Sequence, residues 1–318
     1  MQNLIKHNPV LLTETVNALN VKQNGIYIDG TFGSGGHAKI ILNHLSSKGQ
    51  LYAIDRDPVA IEAAKCINDP RLTVIHGCFS QLSTYMDKKQ LIGRIDGILL
   101  DLGMSSVQLN NSSRGFSFWN DGPLDMRMNP TQGLSAAAWL LHASEYDISL
   151  VLKNYGEEYC ARRIAREIIK RRKNYPLTRT KELVEVITSI IPNNFLKKHP
   201  ARRTFQAIRI FINNELTELR QGLEESLRCL RPTGRLAVIS FHSLEDRLVK
   251  YFIQKQSCCD LFSETIYINF MKKYFLGTFL GPWGLLKSMG KIQPSRLEIE
   301  LNNRSRSAIL RCAEKTNE

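Results

Sequence analysis

The sequence lacks the features that mark exported, disulfide-linked and membrane-spanning proteins. Its seven cysteines are odd in number and form no CxxC pair, which suits neither a zinc knuckle nor a disulfide framework. Residues Met1–Lys6 contain no apolar signal core. Charged residues and a proline interrupt the aromatic stretch Leu261–Leu286 before it reaches the roughly 18–20 apolar residues of a membrane span. We therefore expect a cytoplasmic protein without a bound metal or a membrane helix.

The sequence is also short of acidic residues. It carries 43 lysines and arginines against 30 aspartates and glutamates, a net charge of +13. Such an excess indicates a polyanionic partner, of which nucleic acid is the commonest. Residues 153–209 hold most of it, with fifteen basic side chains against five glutamates. The arginines that we expect to contact RNA phosphates are Arg162, Arg163, Arg166, Arg202 and Arg203. For any single arginine, the alternative is the solvated face of an amphipathic helix.

The first third of the chain alternates β-rich runs with helical patterns. The predicted strands cover residues 26–28, 51–54, 72–75 and 95–100, and the predicted helices cover 36–45, 58–66 and 81–88. Strands that alternate with helices form a parallel sheet through right-handed crossovers. The sequence therefore predicts an α/β fold with a doubly wound sheet.

This alternation stops near residue 106. No strand is predicted from there to residue 213, and helical patterns cover 156–173, 180–191 and 203–230. Strand patterns return at 236–240, 297–301 and 308–312. We expect a helical subdomain, residues 106–213, inserted into a sheet domain formed by residues 1–105 and 214–318.

A glycine-rich loop follows the first predicted strand and precedes a helix. Gly33, Gly35 and Gly36 would let the backbone approach a bound nucleotide, although a tight turn explains such a loop equally well. Asp55 ends the second strand, where an acid can accept hydrogen bonds from the ribose hydroxyls of an adenosine. The pattern predicts an adenosine-containing cofactor, and it is shared by NAD enzymes and methyltransferases.

Three further candidates follow the later strands. Phe79 comes after the third strand and could pack against adenine or belong to the core. Asp101 ends the fourth strand, at the crevice where ligands bind such sheets. His242 follows the fifth strand, where it could hold a target base, move a proton or orient its loop. Ser243 with Asp246 predicts a helix cap directly after it.

Sequence blocks spread over nearly the whole chain resemble one family. They are His7–Leu12 (HNPVLL), Asp29–His37 (DGTFGSGGH), Asp55–Pro58 (DRDP), Asp101–Ser106 (DLGMSS), Arg114–Phe118 (RGFSF), Leu124–Met128 (LDMRM), Gly156–Glu158, His199–Ala201, Phe205–Ile210, Asn214–Leu216, Ile239–Arg247 (ISFHSLEDR) and Arg304–Ser307 (RSRS). With these blocks the chain resembles the bacterial small-subunit ribosomal RNA cytosine-N4-methyltransferases, the MraW/RsmH family. Asn303 departs from the proline that the family usually carries there, and Tyr251–Leu286 shows no clear family motif.

The resemblance implies a class I methyltransferase (Rossmann-like) fold with a helical insert. It implies transfer of a methyl group from S-adenosylmethionine to the exocyclic N4 of a cytidine in the decoding region of 16S rRNA. The sheet domain would bind the cofactor and the insert would recognise 16S rRNA or the small ribosomal subunit, with a homodimer left open. The implied cofactor contacts are Gly35, Gly36, His37, Asp55, Phe79, Asp101 and Gln108.

The proton on N4 has two candidate acceptors among the side chains. Asp101 or a nearby backbone carbonyl could accept it, and His242 becomes the better candidate if Asp101 mainly holds the cofactor. Two other functions stay open on the same fold. One is a small-molecule methyltransferase whose basic insert is a lid, and the other is a non-catalytic ribosome assembly factor.

Overall fold

The computed structural model describes residues 9–191, 198–257, 268–269 and 284–317. The chain divides into two compact units. The first unit comprises Met1–Gly103 and Leu216–Glu318, and the second comprises Met104–Glu215. The predicted insert covers residues 106–213, and each of its ends therefore lies two residues from the end of the second unit, at residues 104 and 215.

The first unit is built on a seven-stranded sheet within the described residues. Its strands are β1 (Ile26–Asp29), β2 (Gln50–Asp55), β3 (Leu72–His76), β4 (Ile95–Asp101), β5 (Leu230–Ser240), β6 (Leu286–Ile292) and β7 (Ile309–Lys315). Its helices are α1 (Leu12–Leu19), α2 (Gly36–His44), α3 (Pro58–Lys65), α4 (Leu82–Asp87), α11 (Glu215–Cys229), α12 (Ser243–Ser257) and α13 (Arg296–Leu301).

The strand order is β3-β2-β1-β4-β5-β7-β6. Strands β1 to β5 are parallel to their neighbours, and β7 runs antiparallel to both β5 and β6. The order reverses at β1 and β4, which places the switch-point crevice at their carboxyl ends. This arrangement confirms the expected class I methyltransferase fold.

The central strands are buried on both faces, as parallel strands are. Successive side chains point to opposite faces, so Ile28 joins one apolar cluster while Tyr27 joins the other. Helices α11 and α12 cover the first face, and α1, α2 and α3 cover the second. This double cover fixes the strand ends and therefore the groups that follow them.

The second unit is helical. Its helices are α5 (Ser106–Asn110), α6 (Ala136–His142), α7 (Glu145–Gly156), α8 (Ala161–Arg172), α9 (Thr180–Ile190) and α10 (Ala201–Ile212). Its described residues contain no strand, only an isolated bridge between Pro123 and Arg179. The apolar stripes of α8, α9 and α10 meet in a core of their own, with Ile164, Ile187 and Ile208 fully buried.

Two element predictions were wrong. Residues 297–301 form α13 rather than a strand, and its first turn is capped by Ser295, whose Oγ accepts the Glu298 N–H at 3.1 Å. The helix predicted over 203–230 is two helices, because the chain turns at Asn214, where φ is 52°. Strand β6 was not predicted, and neither was helix α7 as a separate element.

None of the helices in the described parts of the chain has the length and apolar run that crossing a bilayer requires. Most of the stretch Leu261–Leu286 lies outside the described residues.

Candidate functional site

The glycine loop lies between β1 and α2. Gly33 and Gly35 have left-handed backbones, with φ of 56° and 75°. A Cβ at Gly35 would collide with the Phe32 ring, and one at Gly36 would collide with Pro9. Helix α2 begins at Gly36, and no side chain accepts a hydrogen bond from the N–H groups of its first turn as a cap. The loop therefore requires glycine on conformational and packing grounds, as the tight-turn and nucleotide-loop interpretations both demand.

Asp55 braces this loop from the end of β2. Its Oδ2 accepts the Gly33 N–H at 2.7 Å, and its Oδ1 accepts the Asp57 N–H at 2.8 Å. Burial raises the pKa of the Asp55 carboxyl, although these backbone hydrogen bonds oppose the rise. Each carboxylate oxygen can accept a second hydrogen bond, so the group could still take a ligand hydroxyl.

Asp101 and His37 meet at the end of β4. His37 Nδ1 lies 3.6 Å from Asp101 Oδ2, and His37 Nε2 lies 3.1 Å from the Val10 carbonyl oxygen. Because a carbonyl only accepts, the second contact assigns the ring proton to Nε2 and turns the Nδ1 lone pair toward Asp101. Burial lowers the pKa of His37 to about 4, which keeps the ring neutral at physiological pH.

The Asp101 carboxyl is strongly perturbed. Burial raises its pKa well above the usual value, and the nearby carboxylates of Asp29 and Glu245 raise it further. Its Oδ1 is buried and, within the described residues, has no hydrogen-bond partner. Its backbone N–H donates to Thr31 Oγ1 at 2.6 Å, which ties the end of β4 to the loop after β1.

Asp29 adds a third carboxyl to this edge, and its side chain is buried. Burial raises its pKa to about 7, and Asp55 adds to the rise, while the Thr31 N–H opposes it. The sequence predicts no ligand contact for Asp29 or Thr31. An acid at the end of the first strand was the available signal for Asp29, whereas Thr31 carries no sequence signal beyond its place in the loop.

Phe79 follows β3 and is partly buried against the apolar cluster on the α11 side of the sheet. Its ring lies so close to α11 that a Cβ at Gly222 would collide with it. The neighbouring Ser80 donates from Oγ to Glu218 Oε2 at 2.5 Å. This packing favours the core role for Phe79, and its contact with adenine stays a prediction.

His242 lies in the cap of α12. Its Nδ1 faces the Glu245 N–H at 3.4 Å, and its Nε2 lies 3.1 Å from Glu245 Oε1. The Glu245 carboxylate also accepts the N–H groups of Phe241 and His242, at 2.8 and 3.3 Å. The expected cap by Ser243 and Asp246 was wrong by one residue: His242 and Glu245 form it. The Nδ1 contact within the cap favours the orienting role, whereas Nε2 makes no hydrogen bond to the described residues despite its 3.1 Å distance from Glu245 Oε1.

Asp246 has a different partner. Its carboxylate accepts from Arg311 on β7, with Nε at 2.7 Å and Nη2 at 3.1 Å. It fastens α12 to the antiparallel end of the sheet.

Gln108 belongs to the second unit and is buried. It forms a capping box for α5, in which the Ser105 N–H donates to its Oε1 at 2.9 Å and its own N–H donates to Ser105 Oγ at 3.2 Å. This gives Gln108 a structural role, and its cofactor contact stays a prediction.

The five arginines expected to contact RNA lie on α8 and α10. Arg162 and Arg163 are exposed in the first turn of α8, and Arg166 lies 3.6 Å from Glu145. Arg202 and Arg203 lie in the first turn of α10, with Arg203 exposed. Other basic residues of this unit serve its own structure: Arg171 pairs with Glu185, Arg209 pairs with Glu215, and Arg172 donates to backbone carbonyls. RNA contact by the five arginines stays a prediction.

The sheet order, the glycine loop and the carboxyl groups at the switch point define a protein of the α/β methyltransferase class. The model of the MraW methylase family matches residues 4–316, and the chain belongs to that family. A putative rRNA methylase from Clostridium thermocellum aligns over 98% of this chain and 99% of its own, with 11% identity and a TM-score of 0.44. An rRNA methylase from Streptococcus thermophilus aligns over 99% of both chains, with 12% identity and a TM-score of 0.42. At such identities and TM-scores these likenesses add nothing to the assignment, which follows from the family match.

Proposed function

We propose that this protein transfers a methyl group from S-adenosylmethionine to the exocyclic N4 of a cytidine in the decoding region of 16S rRNA, in the cytoplasm. The observation that carries the proposal is the cluster of three carboxyl groups, the buried Asp29 and the partly buried Asp55 and Asp101, beside the glycine loop at the switch point of the sheet. Membership of a methylase family supports the reaction type. The resemblance in sequence supports the target base.

The residues present fit a cationic, adenosine-containing cofactor. No side chain caps the first turn of α2 after the glycine loop, and Asp55 offers lone pairs to ribose hydroxyls. The buried Oδ1 of Asp101 lacks a partner among the described residues, and a positively charged or hydrogen-bond-donating group would supply one. When bound, S-adenosylmethionine supplies an electrophilic methyl group on a positively charged sulfur.

The chain's own contribution to the chemistry centres on Asp101. The cytosine amino nitrogen is a weak nucleophile because its lone pair is delocalised into the ring. Asp101, once ionised beside a cationic cofactor that lowers its pKa, would accept a hydrogen bond from N4–H and favour a pyramidal nitrogen whose lone pair can attack. Asp101 would accept the proton that N4 loses in exchange for the methyl group that S-adenosylmethionine, held by the glycine loop and Asp55, would supply. His242 then orients the loop after β5 through the α12 cap.

The second unit supplies the proposed RNA-binding surface. Its exposed arginines on α8 and α10 meet phosphates, while the first unit holds the cofactor. Under this proposal the target cytidine has to be unpaired, or flipped out of its helix, before its N4 can be methylated.

Nucleoside mapping by mass spectrometry tests the proposal. Small subunits and free 16S rRNA from a strain that lacks the gene are incubated with the purified full-length protein and S-adenosylmethionine. We expect N4-methylation of a decoding-region cytidine on one of the two substrates, and no such mark before incubation. A mark that persists in the deletion strain, or methylation at another atom, would contradict the proposed target.

A further inference from the structure

An exposed aromatic stack lies in the second unit. Trp119 is 74% exposed, and its ring centroid lies 4.7 Å from that of His199. The Phe118 ring stacks on His199 at 4.8 Å with an interplanar angle of 20°. The indole meets the His199 ring at 60° and the Phe118 ring at 45°, and these three residues, here called the Trp119 stack, present it to solvent against aromatic support. An exposed indole that other rings support, rather than a single scattered apolar side chain, points to an interaction surface.

The turn that carries Trp119 is held in place. Ser117 Oγ accepts the N–H groups of Trp119 and Asn120, both at 3.1 Å. Thr180 Oγ1 donates to the Asn120 carbonyl at 3.0 Å, and Arg179 Nε lies 2.7 Å from Asp121 Oδ2. Since the indole is displayed on a fixed turn, a ligand would not have to order the turn on binding.

Positive charge lies beside the Trp119 stack. The Arg202 N–H donates to the His199 carbonyl at 3.1 Å, so the stack adjoins the first turn of α10. Arg203, in the same turn, lies 4.5 Å from the ring centroid of Tyr159, which is 87% exposed. Residues 198–209 contain four basic side chains and no acidic one.

We infer that the Trp119 stack is a base-stacking platform for an unpaired nucleotide of the RNA substrate. Exposed aromatic rings beside arginines match single-stranded nucleic acid, because rings stack on bases while guanidinium groups meet phosphates. Arg202 and Arg203 take the flanking phosphates. The inference rests on the proposed RNA function, and it adds a site that recognises unpaired bases apart from the one that is methylated.

Binding of two labelled RNAs to the full-length protein tests the platform. One is a short single strand of mixed sequence, and the other has the same length but abasic sugars, so it keeps the phosphates and lacks the bases. We expect Trp119→Ala to weaken binding of the first by about tenfold and to leave the second unchanged. Trp119→Phe should retain most of the affinity, because it keeps an aromatic face. Tyr175→Ala, which removes another exposed aromatic of this unit, is the matched control and should bind both RNAs like the wild type.

The salt dependence separates stacking from charge. Trp119→Ala should leave the slope of log affinity against log salt unchanged, whereas Arg203→Gln should make it shallower by about one. Equal binding by Trp119→Ala and wild type, or equal weakening on both RNAs, overturns the platform. Methyl transfer is measured separately on the same proteins. A platform that fails while the wild type methylates rRNA leaves the proposed function intact. Base-dependent loss of binding without rRNA methylation by the wild type overturns the function alone.

Discussion

Three acidic side chains that are buried or partly buried at one sheet edge are costly for a protein on its own. Asp29, Asp55 and Asp101 all have pKa values raised by burial, and Asp29 raises that of Asp101 further. A neighbouring cation lowers such pKa values and recovers the cost. At the residue scale, the site is therefore incomplete without positive charge, which agrees with a sulfonium ligand.

The substitution Asp101→Asn should abolish most of the methyl transfer. It keeps the shape of the side chain but removes the proton acceptor, and general-base contributions are worth about a hundredfold or more in rate. Single-turnover transfer of labelled methyl groups at saturating cofactor measures the effect. Asp87→Asn, an exposed change at the end of α4, serves as the control. A wild-type rate in Asp101→Asn would exclude Asp101 as the acceptor and leave His242 or a backbone carbonyl.

Asp29 should make the stability of the cofactor-free protein depend on pH. The pKa of the Asp29 carboxyl is about 7 in the folded state, against an ordinary value of 3.8. Below about pH 4 the carboxyl is protonated in both the folded and the unfolded chain, so it does not lower the free energy of unfolding there. As pH rises to about 7 the unfolded chain ionises first, and the folded state loses on the order of 4 kcal/mol. Asp29→Asn should remove this loss while it still accepts the Thr31 N–H. Urea unfolding between about pH 5 and about pH 8 measures it. An unchanged pH dependence would show that Asp29 ionises freely.

At the scale of the element, the start of α12 decides what His242 does. Glu245→Ala removes the acceptor of two backbone N–H groups and should destabilise the protein by about 1–2 kcal/mol.

His242→Asn supplies another favoured cap residue, so it should retain both stability and most methyl transfer. Ser243→Ala should cost little, since Ser243 is not the cap. Chemical unfolding and transfer rates are measured together. A folded His242→Asn protein with transfer reduced about a hundredfold would make His242 the proton carrier.

Local capping overrides periodicity in α13. Residues 297–301, Leu-Glu-Ile-Glu-Leu, alternate apolar and polar side chains, which is typical of a strand. Ser295 nevertheless caps a helix, and Leu297 and Leu301 both end up exposed. Strands β1, β2 and β4 were predictable because buried apolar runs end at aspartate, and β3 because a partly buried β-branched run ends before Gly77.

A long-range contact explains the break between α10 and α11. Asn213 Oδ1 accepts the Met128 N–H at 2.7 Å, and its Nδ2 donates to the Met126 carbonyl at 2.7 Å. Helical periodicity alone carries no sign of these partners. The residues of the candidate site also divide into those that the sequence predicts and those that it does not. Strand ends predicted Asp55 and Asp101, but the contact of His37 with Asp101 depends on tertiary packing. The α12 cap is local, and the prediction missed it by one residue because Ser243 and Asp246 have the same spacing as His242 and Glu245.

At the scale of the whole molecule, the net charge of +13 should govern RNA affinity. Replacement of Arg162, Arg163, Arg166, Arg202 and Arg203 by glutamine should reduce the salt slope of binding by about one for each phosphate that is no longer neutralised. Arg171→Gln is the matched control, because its guanidinium pairs with Glu185 at 2.8 Å and should leave the slope nearly unchanged. Affinities are measured over a series of salt concentrations. A flat dependence for the wild type would favour a small-molecule methyltransferase.

The second unit interrupts the chain between β4 and β5, two strands that are hydrogen-bonded neighbours. During synthesis, β4 emerges from the ribosome long before its partner, because residues 104–215 intervene. At ordinary elongation rates that interval lasts on the order of ten seconds. Through it, the growing sheet carries an apolar open edge at β4, which chaperones can recognise and which can aggregate. If the second unit folds quickly through local helical contacts, β5 can reach β4 sooner. The folding rate of the insert therefore influences how soon the open edge of β4 is paired.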